Sequence, residues 1–153
     1  MRVAVGADHA GFPLKAPVLE ALRSWGHEVE DLGTHSTEPV DFPDVVLPVC
    51  TAVLEGRAER GILVCGTGIG ACMAANKLAG IRAALCHDIH SAHQSVEHDD
   101  ANVMCIGAKI AGEWLALDLI RGFIDARFGG EENFRRRIAK MAAMERSGIE
   151  IPG

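Results

Sequence analysis

Short apolar runs alternate with amphipathic stretches from one end of the chain to the other, and that alternation decides the class of fold. Residues 2–6 read as a strand, and 14–25 as a helix with Leu14, Val18, Leu19 and Leu22 on one face. A short strand over 27–32 leads into a polar loop ending at Asp44, and a helix over 45–55 is closed by Gly56. Residues 60–65 form a continuous apolar run, the mark of a strand buried on both faces. A glycine-rich turn over 66–70 opens a helix at 71–78. Strand 82–86, helix 90–97 and strand 102–106 follow, and helices over 113–128 and 132–144 close the chain.

This β-α repetition predicts a parallel sheet covered by helices on both sides. With right-handed crossovers it becomes a three-layer α-β-α sandwich, a Rossmann-like fold on a five-stranded parallel sheet. The 153 residues suit one compact domain spanning 1–153. In such folds ligands sit at the carboxyl ends of the strands. Here that edge is made by the loops at 6–11, 32–44, 66–70, 86–90 and 107–112.

A formal net charge of −6 argues against a nucleic-acid surface, so any anion must be held by backbone amides and a few placed cations. The apolar runs are far shorter than a membrane span. Met1 leads directly into the first strand without the extended apolar core of a signal peptide, so a cytoplasmic protein is expected. The five cysteines, without a CxxC pair, read as reduced thiols, mostly core filler.

The sharpest motif is Cys65-Gly66-Thr67-Gly68-Ile69-Gly70, a strand that ends in cysteine and turns into a helix. Glycines let the backbone approach a ligand, and a helix start points free N–H groups at the same spot. A thiol there is expected to ionise more easily than a free one, whose pKa is about 8.5. One segment would then supply a base and a cradle for an oxyanion. The plain alternative is a buried structural cysteine before a turn. Gly66-x-Gly68-x-x-Ala71 also satisfies a dinucleotide fingerprint, with Asp88 past the next strand as the ribose-binding acid. Against that reading, the loop follows the third strand, and little chain remains for a substrate domain. A cysteine phosphatase would need arginine where Ala71 stands, and no Walker loop occurs.

Asp8 and His9 lie in the first strand-to-helix loop, on the same edge as Cys65; they could bind sugar hydroxyls and phosphate, or Asp8 could simply cap the coming helix. His87, His90 and His93 step around a helix rather than converge, so no metal is expected. His98 reads as part of a polar loop before the fifth strand. Arg135, Arg136 and Arg137 form the one dense basic run: a solvated face, or a grip on phosphate.

Taken together, the motifs resemble the type B ribose-5-phosphate isomerases and the related galactose-6-phosphate isomerase subunits. The resemblance runs through Gly6-Ala7-Asp8-His9-Ala10-Gly11-Phe12, the Cys65–Gly70 motif, the segment from Ala74 to Ala83, and His98-Asp99-Asp100-Ala101-Asn102-Val103. It implies an aldose–ketose isomerase that needs no cofactor and no metal. It implies Cys65 as the proton-shuttling base with Thr67 hydrogen-bonded near it, and His98 opening the furanose ring with help from Asp8. Gly66, Thr67, Gly68, Ile69 and Gly70 would hold the enediolate oxygen through their amides. His9, Lys109, Arg136 and Arg137 would hold phosphate. Three positions differ from the family's usual residues: Asp99 for asparagine, Lys109 for arginine and Asn133 for arginine. Each loosens the polar grip on substrate, which leaves pentose, tetrose and hexose phosphates open.

Such chemistry is physically sensible, because one base can serve both carbons when fixed donors stabilise the negative oxygen. Cys65 ends a strand, whereas His98 precedes one, so the two belong to opposite edges of the sheet. At about 3.3 Å per residue a five-residue strand separates those edges by roughly 17 Å. The sequence therefore predicts a homodimer or homotetramer with active sites shared between chains, and a C-terminal helix (about 131–146) that packs on the partner subunit.

Overall fold

The computed structural model describes residues 1–147. Its elements are β1 (Arg2–Ala7), α1 (Phe12–Ser24), β2 (Glu28–Asp31), α2 (Phe42–Leu54), β3 (Arg60–Cys65) and α3 (Ile69–Ala75). These are followed by β4 (Ala83–Leu85), α4 (Ile89–Asp99), β5 (Val103–Gly107), α5 (Glu113–Asp125) and α6 (Glu132–Ser147). The strands form one sheet in the order β2-β1-β3-β5-β4, every pairing parallel. The three-layer sandwich predicted from the alternation is the observed architecture.

The period-two geometry of a strand sends alternate side chains to opposite layers, and the central strands obey it. Val3, Val5, Ile62, Val64, Met104 and Ile106 pack on one side, against α1, α4 and α5. Ala4, Leu63, Cys65, Val103 and Cys105 face the other, against α2 and α3. Phe123, Leu119 and Ile120 are fully buried in the first layer; burying each such side chain stabilises the fold by about 1.5–3 kcal/mol. Among the described residues no helix is long and apolar enough to cross a membrane.

Several boundaries differ from the sequence reading. α2 starts at Phe42, with Pro43 in its first turn, where the missing N–H costs nothing. α5 stops at Asp125, short of 128. The largest shift is in α4, which continues through His98 to Asp99 and ends only when Asp100 turns left-handed at φ 50°. His98 is thus a helical residue in the last turn of α4 and not part of a loop. A run of His, Asp and Asp looks like loop by composition, but Val96 buries an apolar side chain there and holds the turn in the helix.

Candidate active site

Cys65 is the last residue of β3, the middle strand of the sheet, and the backbone turns sharply just after it. Gly68 takes φ 79°, and a Cβ there would sit 2.6 Å from Leu85 Cδ1 and 3.0 Å from the Ile106 carbonyl carbon. Only glycine fits on both counts. The loop after β5 buttresses this turn: Ala108 N donates to Cys65 O (2.8 Å) and Lys109 N to Gly66 O (3.0 Å). That pairing places the exposed Lys109 beside Gly66, its Cδ 3.9 Å from where a Cβ would stand. Thr67 and Ile69 are exposed, and Gly70 lies flush against the Phe42 ring.

The β1–α1 loop reaches the same point from the neighbouring strand. Asp8 N donates to Val64 O (3.1 Å), and Asp8 Oδ1 accepts from Gly11 N (2.8 Å). Asp8 Oδ2 then accepts a hydrogen bond from the Cys65 thiol at 3.0 Å. Both residues are buried, with exposures of 6% and 9%. Phe42, Val45, Val46 and Ala71 line an apolar hollow against the pair. The N-cap of α1 is Gly11, so Asp8 is not a plain helix cap; its carboxylate ties the turn to the thiol. His9 Nδ1 accepts from Val40 N (3.2 Å), tying the 32–44 loop to this edge and assigning the proton of the neutral ring to Nε2.

This geometry corrects the expectation of an easily ionised thiol. Burial, and then the hydrogen bond and charge of Asp8, push the Cys65 thiol above the ordinary value. The backbone of Gly68 and of Gly66 pulls the other way without prevailing. Thr67 is likewise differently bonded than expected: its Oγ1 accepts from Ile69 N at 3.4 Å, while the thiol's partner is Asp8. The Asp8–Cys65 contact was missed by sequence reasoning, because nothing local ties residues so far apart in the chain.

The other predicted residues lie at the opposite edge. The half-buried His98 ring stacks on Phe134 of α6, with centroids 4.3 Å apart and an interplanar angle of 23°. The Arg137 guanidinium lies 5.9 Å from the centroid of the same Phe134 ring. Arg136 and Asp99 are exposed and Asn133 is half-buried. Asp8, His9, Lys109 and the 66–70 loop therefore gather around Cys65, whereas His98, Asp99, Arg136 and Arg137 do not join them within one chain. Phe134 is a second residue that sequence reasoning passed over; its spacing within 132–144 carries no signal distinct from a core position.

The three histidines before and within α4 are engaged otherwise. His87 Nε2 accepts from Gly107 N (2.9 Å), His93 pairs with Glu97 (2.9 Å), and His90 meets His93 edge-on. Among the described residues no group of three or more His, Cys, Asp or Glu is placed to hold a metal ion. Asp88, the acid required by the dinucleotide reading, instead caps α4, its carboxylate accepting from Ser91 N at 2.7 Å.

Comparison with known proteins gives a consistent picture. A family model described as Ribose/Galactose Isomerase matches residues 3–141. Ribose-5-phosphate isomerase B of Escherichia coli is 40% identical, the match covering 94% of this chain and 96% of that protein. D-erythrulose-4-phosphate isomerase of Pectobacterium atrosepticum is 41% identical over 85% of this chain and 86% of its own. Among solved structures, Clostridium thermocellum ribose-5-phosphate isomerase B superposes with a TM-score of 0.95 at 42% identity, covering 97% of this chain and all of that one.

Proposed function

The chain belongs to the ribose/galactose isomerase family, and on that premise we propose that it interconverts aldose and ketose sugar phosphates. The first candidates are ribose 5-phosphate and ribulose 5-phosphate. Cys65 is the base that moves a proton between C2 and C1 of the open-chain sugar. The observation that carries this reading is the placement of Cys65: a buried thiol at the carboxyl end of the central strand, hydrogen-bonded to Asp8 and followed directly by the glycine turn. When the C2 proton leaves, the electron pair moves onto the carbonyl oxygen as the enediolate forms. Amides of the 66–70 loop are fixed donors for that oxygen and need no reorganisation as charge develops. His9 and Lys109 stand on the same edge as candidate phosphate ligands.

His98, with Asp99, Arg136 and Arg137, completes the site from a second copy. A two-fold pairing sets the amino edge of one protomer against the carboxyl edge of the other and does so twice. His98 then assists ring opening, and the arginines of α6 neutralise phosphate. On this reading the enzyme is a homodimer or homotetramer, uses neither metal nor organic cofactor, and works in the cytoplasm. A tetrose phosphate is the second substrate to consider, given the erythrulose-phosphate isomerase among the relatives and the shorter reach of Lys109 compared with arginine.

A panel of pentose, tetrose and hexose aldose phosphates, assayed for ketose formation, tests the reading. Turnover of ribose 5-phosphate supports it. Binding of the whole panel without turnover would make the protein a sugar-phosphate sensor, and thermal stabilisation by NAD alone would return it to the dinucleotide class.

A further inference from the structure

The thiol assigned as base is, at rest, a donor. Its hydrogen bond runs to Asp8 Oδ2, and burial and the carboxylate together favour the protonated sulfur. A protonated thiol cannot accept a proton from carbon until its own has gone elsewhere. The acceptor nearest to hand is the one it already faces. Asp8 has almost no freedom to be anywhere else. Its amide is bonded to Val64 O, its Oδ1 to Gly11 N, and Gly11 is pressed so closely on β3 that a Cβ would lie 2.1 Å from Val64 O. The other groups around the pair do not compete. α2 faces it with Phe42, Val45 and Val46, His87 is engaged by Gly107 N, His9 by Val40 N, and Lys109 has only protons to give.

Resting on the isomerase reading above, we infer that Asp8 is the positioning residue that takes the Cys65 proton, so that the working base is a thiol–carboxylate pair sharing one proton. In the forward half-reaction the S–H proton passes to Asp8 Oδ2 and the sulfur takes the proton from C2. The C–H electron pair becomes the C1–C2 double bond, and the carbonyl π pair moves to oxygen. Between the halves the O2 hydroxyl proton passes to O1; in the return half the carbonyl re-forms at C2, the sulfur gives its proton to C1, and Asp8 returns the shared proton to sulfur. Charge and protons balance without any further reactant.

Two accounts of the thiol part company at Asp8→Asn, a variant that keeps the Oδ1 acceptor for Gly11 N. The measurements are the pH profile of iodoacetamide alkylation, read at the Cys65 peptide, and kcat over the same pH range, with circular dichroism as a check on the fold. Wild-type alkylation is expected to inflect above the ordinary thiol value of about 8.5. Asp8→Asn should lower that inflection, making more thiolate, and yet reduce kcat near neutral pH on the order of 10²-fold. The deficit should shrink as rising pH removes the thiol proton without help. If the variant's inflection falls while kcat near neutral pH holds or rises, the thiolate alone is the base and the pair is refuted. An unchanged inflection refutes it too. Should the variant fail to fold, the wild-type profile decides, since an inflection at or below the ordinary value contradicts a proton held by the pair. Failure of the isomerase reading looks different: full activity in Cys65→Ala, or no turnover of any aldose phosphate by the wild type.

Discussion

The two edges of the sheet are built from different materials. At the carboxyl edge the functional groups are backbone amides, a strand-terminal thiol and a carboxylate locked by main-chain bonds, the thiol and the carboxylate both buried. At the amino edge they are side chains on helices. His98 leans on Phe134, Arg137 sits over the same ring, and Arg82 is held by Asp100 at 2.7 Å. The first arrangement is fixed by the fold, because moving it means breaking β1, β3 or β5. The second is half-exposed and is carried by the helices α4 and α6. In this account each protomer carries one rigid half-site for the chemistry at carbon and one outward half-site for ring opening and phosphate.

Substitutions should therefore fall into classes by edge. Cys65→Ala removes the base while leaving the amides, and kcat should fall about 10³–10⁴-fold with an unchanged melting temperature; activity within a few-fold of wild type would make Cys65 structural. His98→Ala should cost about 10²-fold with ribose 5-phosphate. The same variant should match wild type on erythrose 4-phosphate, whose phosphorylated O4 prevents a furanose ring, provided that sugar is turned over by the wild type. An equal loss on both sugars would take His98 out of ring opening. Phe134→Ala leaves the imidazole but removes the ring that orients it, so the expected loss is smaller, about three- to ten-fold, and confined to the cyclic substrate. The mildest test concerns the thiols. Hydrogen bonds from Cys105 and Asn76, set against burial, lower Cys72 to about 7, whereas burial pushes Cys50 and Cys86 up to about 11. At pH 7.5 Cys72 should thus be mostly thiolate and be alkylated before Cys50, Cys65 and Cys86. Preferential modification of Cys65 would contradict its shielded, protonated state.

The difference between the edges also explains what could be read from the sequence. Strand periodicity and the glycines after Cys65 are local signals, and they located the sheet, its carboxyl edge and the 66–70 turn. The sign of the Cys65 shift was not local: the amides are neighbours in sequence, but the burial comes from packing and the opposing carboxylate arrives from another strand. The helical state of His98 depends on Val96 finding a core, and the stacking of His98 on Phe134 depends on α6 folding back against α4. Asp99 and Asp100 are adjacent acidic residues, yet one is exposed on the helix and the other is a left-handed cap paired with Arg82. Such distinctions arise from packing, which composition does not encode.

The central claim, that one working site is made from two chains, is tested most directly by subunit mixing. Cys65→Ala and His98→Ala proteins are each purified, shown to be impaired, then mixed under conditions in which exchange is followed with differently tagged chains. A hybrid dimer places the intact Cys65 of one chain opposite the intact His98 of the other, while its second site carries both defects. The account predicts that activity rises as hybrids form, to about one restored site per hybrid dimer. Hybrids that form and remain as impaired as their parents, or a monomer with full activity, would contradict it.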